Sequence, residues 1–144
     1  MGHFYFRNYP QDVMSPGVNK GFMRTLAHHI LPHVYILSAW EEPDDNHWLG
    51  RSIDVAESLY LSGNCIPVVP DLILAWHLKY PRELEFWLEY RVQLMSRCDV
   101  VLCVGSDSDY AKGELSEALR IGIPLFYTGE DLQNWITTSR ESNE

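Results

Sequence analysis

Glu114 stands where a carboxylate can act. It follows the turn-forming run Gly105-Ser106-Asp107-Ser108-Asp109, which leaves the apolar segment from Asp99 to Val104. It also opens a helix that the residue pattern places from about Ala111 to Ile121, with Gly122 as its stop. A helix N-terminus stabilises negative charge, so a carboxylate there is expected to be ionised at neutral pH. An ionised carboxylate beside a substrate suits nucleophilic attack rather than acid catalysis. The plainer alternative is that Glu114 serves the helix alone, because acidic residues favour first helical turns.

The loop before it supplies the hydroxyls of Ser106 and Ser108, the carboxylates of Asp107 and Asp109, and backbone N–H groups between Gly105 and Gly113. Such a loop can hold a phosphate or a sugar hydroxyl at a helix N-terminus. It can equally do no more than cap the helix, with Ser108 or Asp109 as N-cap. It carries neither G-x-G-x-x-G nor G-x-x-x-x-G-K-[ST], so dinucleotide and P-loop readings are poor and no cofactor is expected. Tyr35 lies on an earlier apolar run and Trp40 just beyond it. A Trp at a strand end can stack on a planar base, or it can fill a core or an interface. His28, His29 and His33 do not share a helical face across Pro32, and no Cys or carboxylate cluster completes a zinc set. No metal is expected.

The elements that must position these residues follow from periodicity. His33 to Ala39 is continuously apolar, as a strand buried on both faces requires. Trp48 to Leu61 is amphipathic and stops at Gly63, and Cys65 to Val69 is a short strand closed by Pro70. Leu72 to Tyr80 is expected to be helical, as is Arg82 to Arg97, with Leu84, Trp87, Leu88, Arg91 and Met95 on one stripe. Asp99 to Val104 and Ile123 to Tyr127 are the third and fourth strands, and Asp131 to Thr138 is the last helix, before a polar tail. Strands alternating with helices imply parallel pairing. The expected fold is an α/β three-layer sandwich around a flavodoxin-like or Rossmann-like parallel sheet of four or five strands. Ligands of such sheets sit beyond the carboxyl ends of the strands, here the loops Ser38 to Asn46 and Gly105 to Gly113. Residues 1–32, with Phe4, Tyr5, Phe6, Tyr9 and a short helix over 21–31, form an N-terminal extension expected to pack on the main domain, 33–144, or on another subunit.

Composition narrows the partners. The chain has 144 residues, 46% of them hydrophobic, which suits one globular domain. Acidic residues outnumber basic ones 20 to 11, for a formal charge of -9. A nucleic acid polymer is an unsuitable partner, because phosphate contacts need clustered Lys and Arg. A small ligand held by backbone groups stays open. No apolar run approaches the ~20 residues of a membrane span, and no charged-then-apolar leader pattern is present. Cys65, Cys98 and Cys103 form no C-x-x-C pair and sit in or beside strands, so they are expected to be buried hydrophobes in a reducing, cytoplasmic setting. Five Trp and eight Tyr exceed what a small core needs, which points to a homo-oligomer.

The order of these features resembles the nucleoside 2-deoxyribosyltransferase superfamily, including its deoxynucleoside-monophosphate N-hydrolase branch. The likeness runs over about residues 33 to 128: Tyr35-Ile36-Leu37-Ser38-Ala39-Trp40, the strand before Pro70, Cys98-Asp99-Val100-Val101, and Gly113-Glu114-x-x-x-Ala118 ahead of Gly122-Ile123-Pro124. The resemblance implies that Glu114 is a nucleophile attacking C1′ of a nucleoside or nucleoside 5′-monophosphate. It implies a glycosyl-enzyme ester resolved by water or a second base, as in retaining glycoside hydrolysis. Tyr35 and Trp40 match the family's aromatic positions, and Ser108, six residues before Glu114, matches the residue that contacts the sugar 5′ end. The chain departs from the pattern twice. The family's aspartate on the helix before the third strand falls here at about Tyr90 or Arg91, leaving Glu89 as the acid nearest to that role. The loop after the first strand is basic and glycine-rich in the phosphate-binding branch, and here it carries Glu41, Glu42, Asp44 and Asp45. Two other outcomes follow: a domain that binds a nucleotide without cleaving it, or a glycohydrolase acting on NAD.

Overall fold

This computed structural model describes residues 30–38, 47–105 and 109–142, with the backbone alone at 47–49, 109–111 and 142. The chain divides into two compact units, Met1–Leu31 and Pro32–Glu144. The aromatic cluster and the short helix expected before residue 30 lie outside the described residues.

Among the described residues of the unit from Pro32, four parallel strands are joined by five helices: β1 (His33–Ser38), α1 (His47–Ser62), β2 (Ile66–Val68), α2 (Ile73–Lys79), α3 (Leu84–Met95), β3 (Val100–Val104), α4 (Asp109–Ile121), β4 (Leu125–Phe126) and α5 (Gly129–Ser142). A 3-10 turn, Pro70–Leu72, links β2 to α2. The sheet order is β2-β1-β3-β4, every pair parallel. This is the flavodoxin-like or Rossmann-like architecture expected from the alternation of strand and helix.

Burial explains the pattern. From Val34 to Ser38 every residue of β1 is buried, because the strand is central and covered on both faces. Val34, Ile36, Val100 and Leu102 face one layer and pack with Leu59 of α1 and Leu132 and Ile136 of α5. Tyr35, Leu37 and Val101 face the other and pack with Met95 of α3, Cys98 and Ala118 of α4. The strict alternation of inward direction along a strand sends neighbouring residues to opposite layers.

Element ends differ from expectation in two instructive places. The last helix begins at Gly129 and runs to Ser142, four residues beyond Thr138. The Thr128 hydroxyl accepts from the Asp131 N–H at its start, and polar residues extend its solvent side without loss. Helix α4 begins at Asp109 rather than Ala111, which moves Glu114 into its second turn. Gly105 leaves β3 with φ 98°, and Gly122 ends α4 with φ 80°, backbone conformations that side chains with a Cβ resist. No helix among the described residues is long and apolar enough to cross a membrane.

Candidate functional site

Strands β1 and β3 are neighbours, while the chain leaving them turns to opposite sides, to β2 and to β4. This is the point in a parallel sheet where a crevice opens beyond the strand ends. Tyr35 of β1 projects toward α3 and α4, where its hydroxyl donates to Glu114 Oε2 over 2.7 Å. Glu114 points inward because it shares the buried stripe of α4 with Ala118, one turn on.

A third group meets them. Arg91 lies one turn from both Trp87 and Met95, on the buried stripe of α3, and is 1% exposed. Its Nε is 3.0 Å from Glu114 Oε1, and its Nη2 donates to Glu114 Oε2 over 3.5 Å. On the other side Nη1 is 3.2 Å from Asp71 Oδ1. Asp71 sits in the 3-10 turn just past β2, and its Oδ2 accepts from the hydroxyls of Ser38 and of Ser52, the latter over 2.6 Å. The result is a buried chain of polar groups, from Ser38 and Ser52 through Asp71 and Arg91 to Glu114 and Tyr35.

The charges are settled by this chain and not by the helix end. A helix dipole acts within its first turn, and Glu114 is the sixth residue of α4, so the expected source of its ionisation does not hold. Burial pushes the Glu114 carboxyl above its ordinary value, while the Arg91 guanidinium and the Tyr35 hydroxyl pull it down without cancelling the rise. Burial also works against the charge on Arg91, but Glu114, Tyr35 and Asp71 outweigh it and the guanidinium pKa rises. Tyr35 is held well above its ordinary value, by burial first and then by Glu114, so it stays a hydroxyl donor. Among the described residues, the cation that favours the carboxylate form of Glu114 is Arg91.

The other expected site residues divide into three groups. Ser38 is buried and bonded to Asp71, as described. Trp40, Ser106, Asp107 and Ser108, together with the acidic run Glu41 to Asp45, lie outside the described residues, as does the side chain of Asp109. Gly105 and Gly113 are exposed, and a Cβ on Gly113 would meet nothing within 4 Å, so no close approach requires glycine there. Glu89 is not brought to the site. It is exposed and accepts from Gln93 over 3.1 Å on the outer face of α3. Two residues along a helix turn a side chain by about 200°. With Trp87 and Met95 fixing the inward phase, Arg91 and not Glu89 reaches Glu114.

Asp71 and Ser52 carry no motif, though both obey general rules. Asp71 follows a strand's carboxyl end, and Ser52 lies on the stripe of α1 that includes Ala56 and Leu59. Arg91 announced itself as the one charged residue on an apolar stripe, a position that requires a buried partner. Beside the network, across β3, a groove of about 550 Å3 is lined by Asp54, Ser58, Leu102, Gly105, Tyr127 and Gly129 among others. The three cysteines are free, and burial pushes the Cys98 and Cys103 thiols up to about 11, Cys103 with help from the Glu114 charge. Such thiols stay protonated at neutral pH. Among the described residues no group of three or more His, Cys, Asp and Glu is disposed to hold a metal ion.

No protein-family model matches the chain, and neither does any curated protein or solved structure. The chemistry rests on the residues themselves.

Proposed function

We propose that the protein cleaves or exchanges the N-glycosidic bond of a nucleoside or nucleoside 5′-monophosphate, with Glu114 as nucleophile. The observation that carries this reading is the Glu114 carboxylate held between Tyr35 of β1 and Arg91 of α3. Oε2 faces both Tyr35 and Arg91, while Oε1 faces Arg91 Nε and keeps a lone pair for attack. A Glu114 oxygen bonds to C1′ as the C1′–N bond breaks, and the bonding pair leaves on the base nitrogen, which takes a proton from water. Water or a second base then attacks C1′ and releases the Glu114 carboxylate. Tyr35 and Arg91 orient the nucleophile, and Arg91 opposes the effect of burial on its charge. The order of motifs noted in the sequence supports the same substrate class.

The test is to incubate the protein with a panel of ribo- and deoxyribonucleosides and their 5′-monophosphates and follow free base by chromatography. Base release by the wild type and none by Glu114→Gln is expected. Failure of every substrate to release base sinks the enzymatic reading.

One observation favours a second reading. Arg91 engages Asp71 and Glu114 together, so neither buried carboxyl is placed to protonate a leaving base. A domain that binds such a ligand without cutting it would show thermal stabilisation by a nucleotide that is recovered intact.

A further inference from the structure

Helices α2 and α3 present an outer face that no described part of the chain covers. Trp76 meets Trp87 and Tyr90 edge-on, at ring separations of 5.0 and 5.4 Å. Trp87 is buried and its indole N–H donates to His77 Nδ1 over 2.7 Å, which fixes the base of the cluster. The outer rings stay open: Trp76 and Tyr90 are each 43% exposed and Phe86 is 63% exposed. Phe86 and Tyr90 are one turn apart on α3, and Leu72 and Tyr80 extend the exposed apolar surface at either end of α2. Rigid aromatic rings grouped in this way are what the centre of a protein interface needs.

The charges around the rings are ordered. On the α2 side lie two cations. Arg82 stacks over Trp76 at 5.4 Å and over Trp87 at 5.2 Å, and Lys79 lies 5.6 Å from the Tyr80 ring. On the far side of α3 lie Glu85 and Glu89, both exposed. At 100° per residue these two precede Phe86 and Tyr90 around the helix, so the acidic stripe flanks the aromatic one on the side away from α2. Across the face the order is basic, aromatic, acidic.

We infer that this face docks a second copy of the same chain about a two-fold axis that runs along the aromatic stripe. A two-fold operation sets the acidic edge of one copy against the basic edge of the other, twice over, and stacks the rings between them. The face is complementary to itself. Two copies that each carry a charge of -9 repel, so they associate best where local charges alternate. The rings supply the affinity. The exposed pairs add little each, but they fix the orientation and penalise other registers.

Charge swapping tests this on the full chain by light scattering and sedimentation. The wild type is expected to be a dimer at tens of micromolar. Glu85→Lys with Glu89→Lys makes both edges basic, and Lys79→Glu with Arg82→Glu makes both acidic. Each double variant alone is expected to dissociate, its dissociation constant rising roughly a hundredfold from like-charge contact. An equimolar mixture of the two restores opposite charges at both edges and is expected to yield a heterodimer. Phe86→Ser weakens association without touching a charge, and circular dichroism checks that each variant is folded. A wild type that is monomeric at 100 micromolar overturns the proposal. So do charge variants that stay dimeric, or folded variants whose mixture stays monomeric.

Discussion

Helix α4 carries two glutamates three residues apart, each paired with an arginine, and the pairs behave in opposite ways. Glu114 faces inward, 2% exposed, against Arg91 from another helix. Glu117 faces out, and Arg120 on the same helix places its Nε 3.0 Å from both of its carboxylate oxygens. Water already solvates Glu117, so the hydrogen bond from Arg120 leads the balance and its carboxyl falls below its ordinary value. Around Glu114 desolvation leads, and the carboxyl rises despite the opposing pull of Arg91 and Tyr35. An arginine beside a glutamate does not by itself say which way the acid titrates. The solvent lost on folding decides it.

The comparison breaks first at Arg91. Arg91→Met removes the one cation between two buried carboxyls and is expected to cost about 3–5 kcal/mol at pH 7, read by urea unfolding. A loss below about 1 kcal/mol would show that the buried pair is no more consequential than the exposed one. The deficit is also expected to depend on pH. In the variant Glu114 keeps the upward push of burial and loses the downward pull of Arg91. A carboxyl whose folded pKa exceeds its unfolded value costs stability above the unfolded value, and the cost vanishes as pH falls back through it. Melting curves of variant and wild type should therefore converge as pH drops from 7 towards the ordinary carboxyl value of 4.5. A constant gap would mean that removing Arg91 does not raise the Glu114 carboxyl any further.

A smaller effect sharpens the same contrast. Tyr35→Phe keeps the ring packed and removes only the hydroxyl that donates to Glu114, for an expected loss of about 1–3 kcal/mol in the same unfolding assay. On the proposed function it also slows base release, because the nucleophile loses an orienting partner. The smallest effect belongs to the outer face. Glu117→Gln should leave the melting temperature unmoved within the error of calorimetry, and a clear fall would show that the exposed pair holds α4 together.

Much of the framework was legible in the chain. The continuous apolar runs at β1 and β3 read as buried strands, and Gly63 and Gly122 mark where α1 and α4 stop. Glu114 stood out because it follows a strand-ending loop, and Tyr35 as an aromatic on the first strand that fits the resemblance. Glu89 is the nearest acid in sequence, but Trp87 and Met95 set the phase of α3 so that it turns outward and Arg91 turns in. Asp71 and Ser52 had no signal of their own, since their meaning depends on each other and on a guanidinium 20 residues further along.

The sequence by itself determined the alternation of strand and helix, the parallel sheet and the inward side of each element, because hydrophobic periodicity is a local property of the chain. Only the tertiary structure decided which charges meet. Tyr35 and Glu114 are 79 residues apart, and Arg91 reaches Glu114 across 23. Partnership at such separations is set by how helices seat on a sheet, and the burial that results sets the charge each group carries.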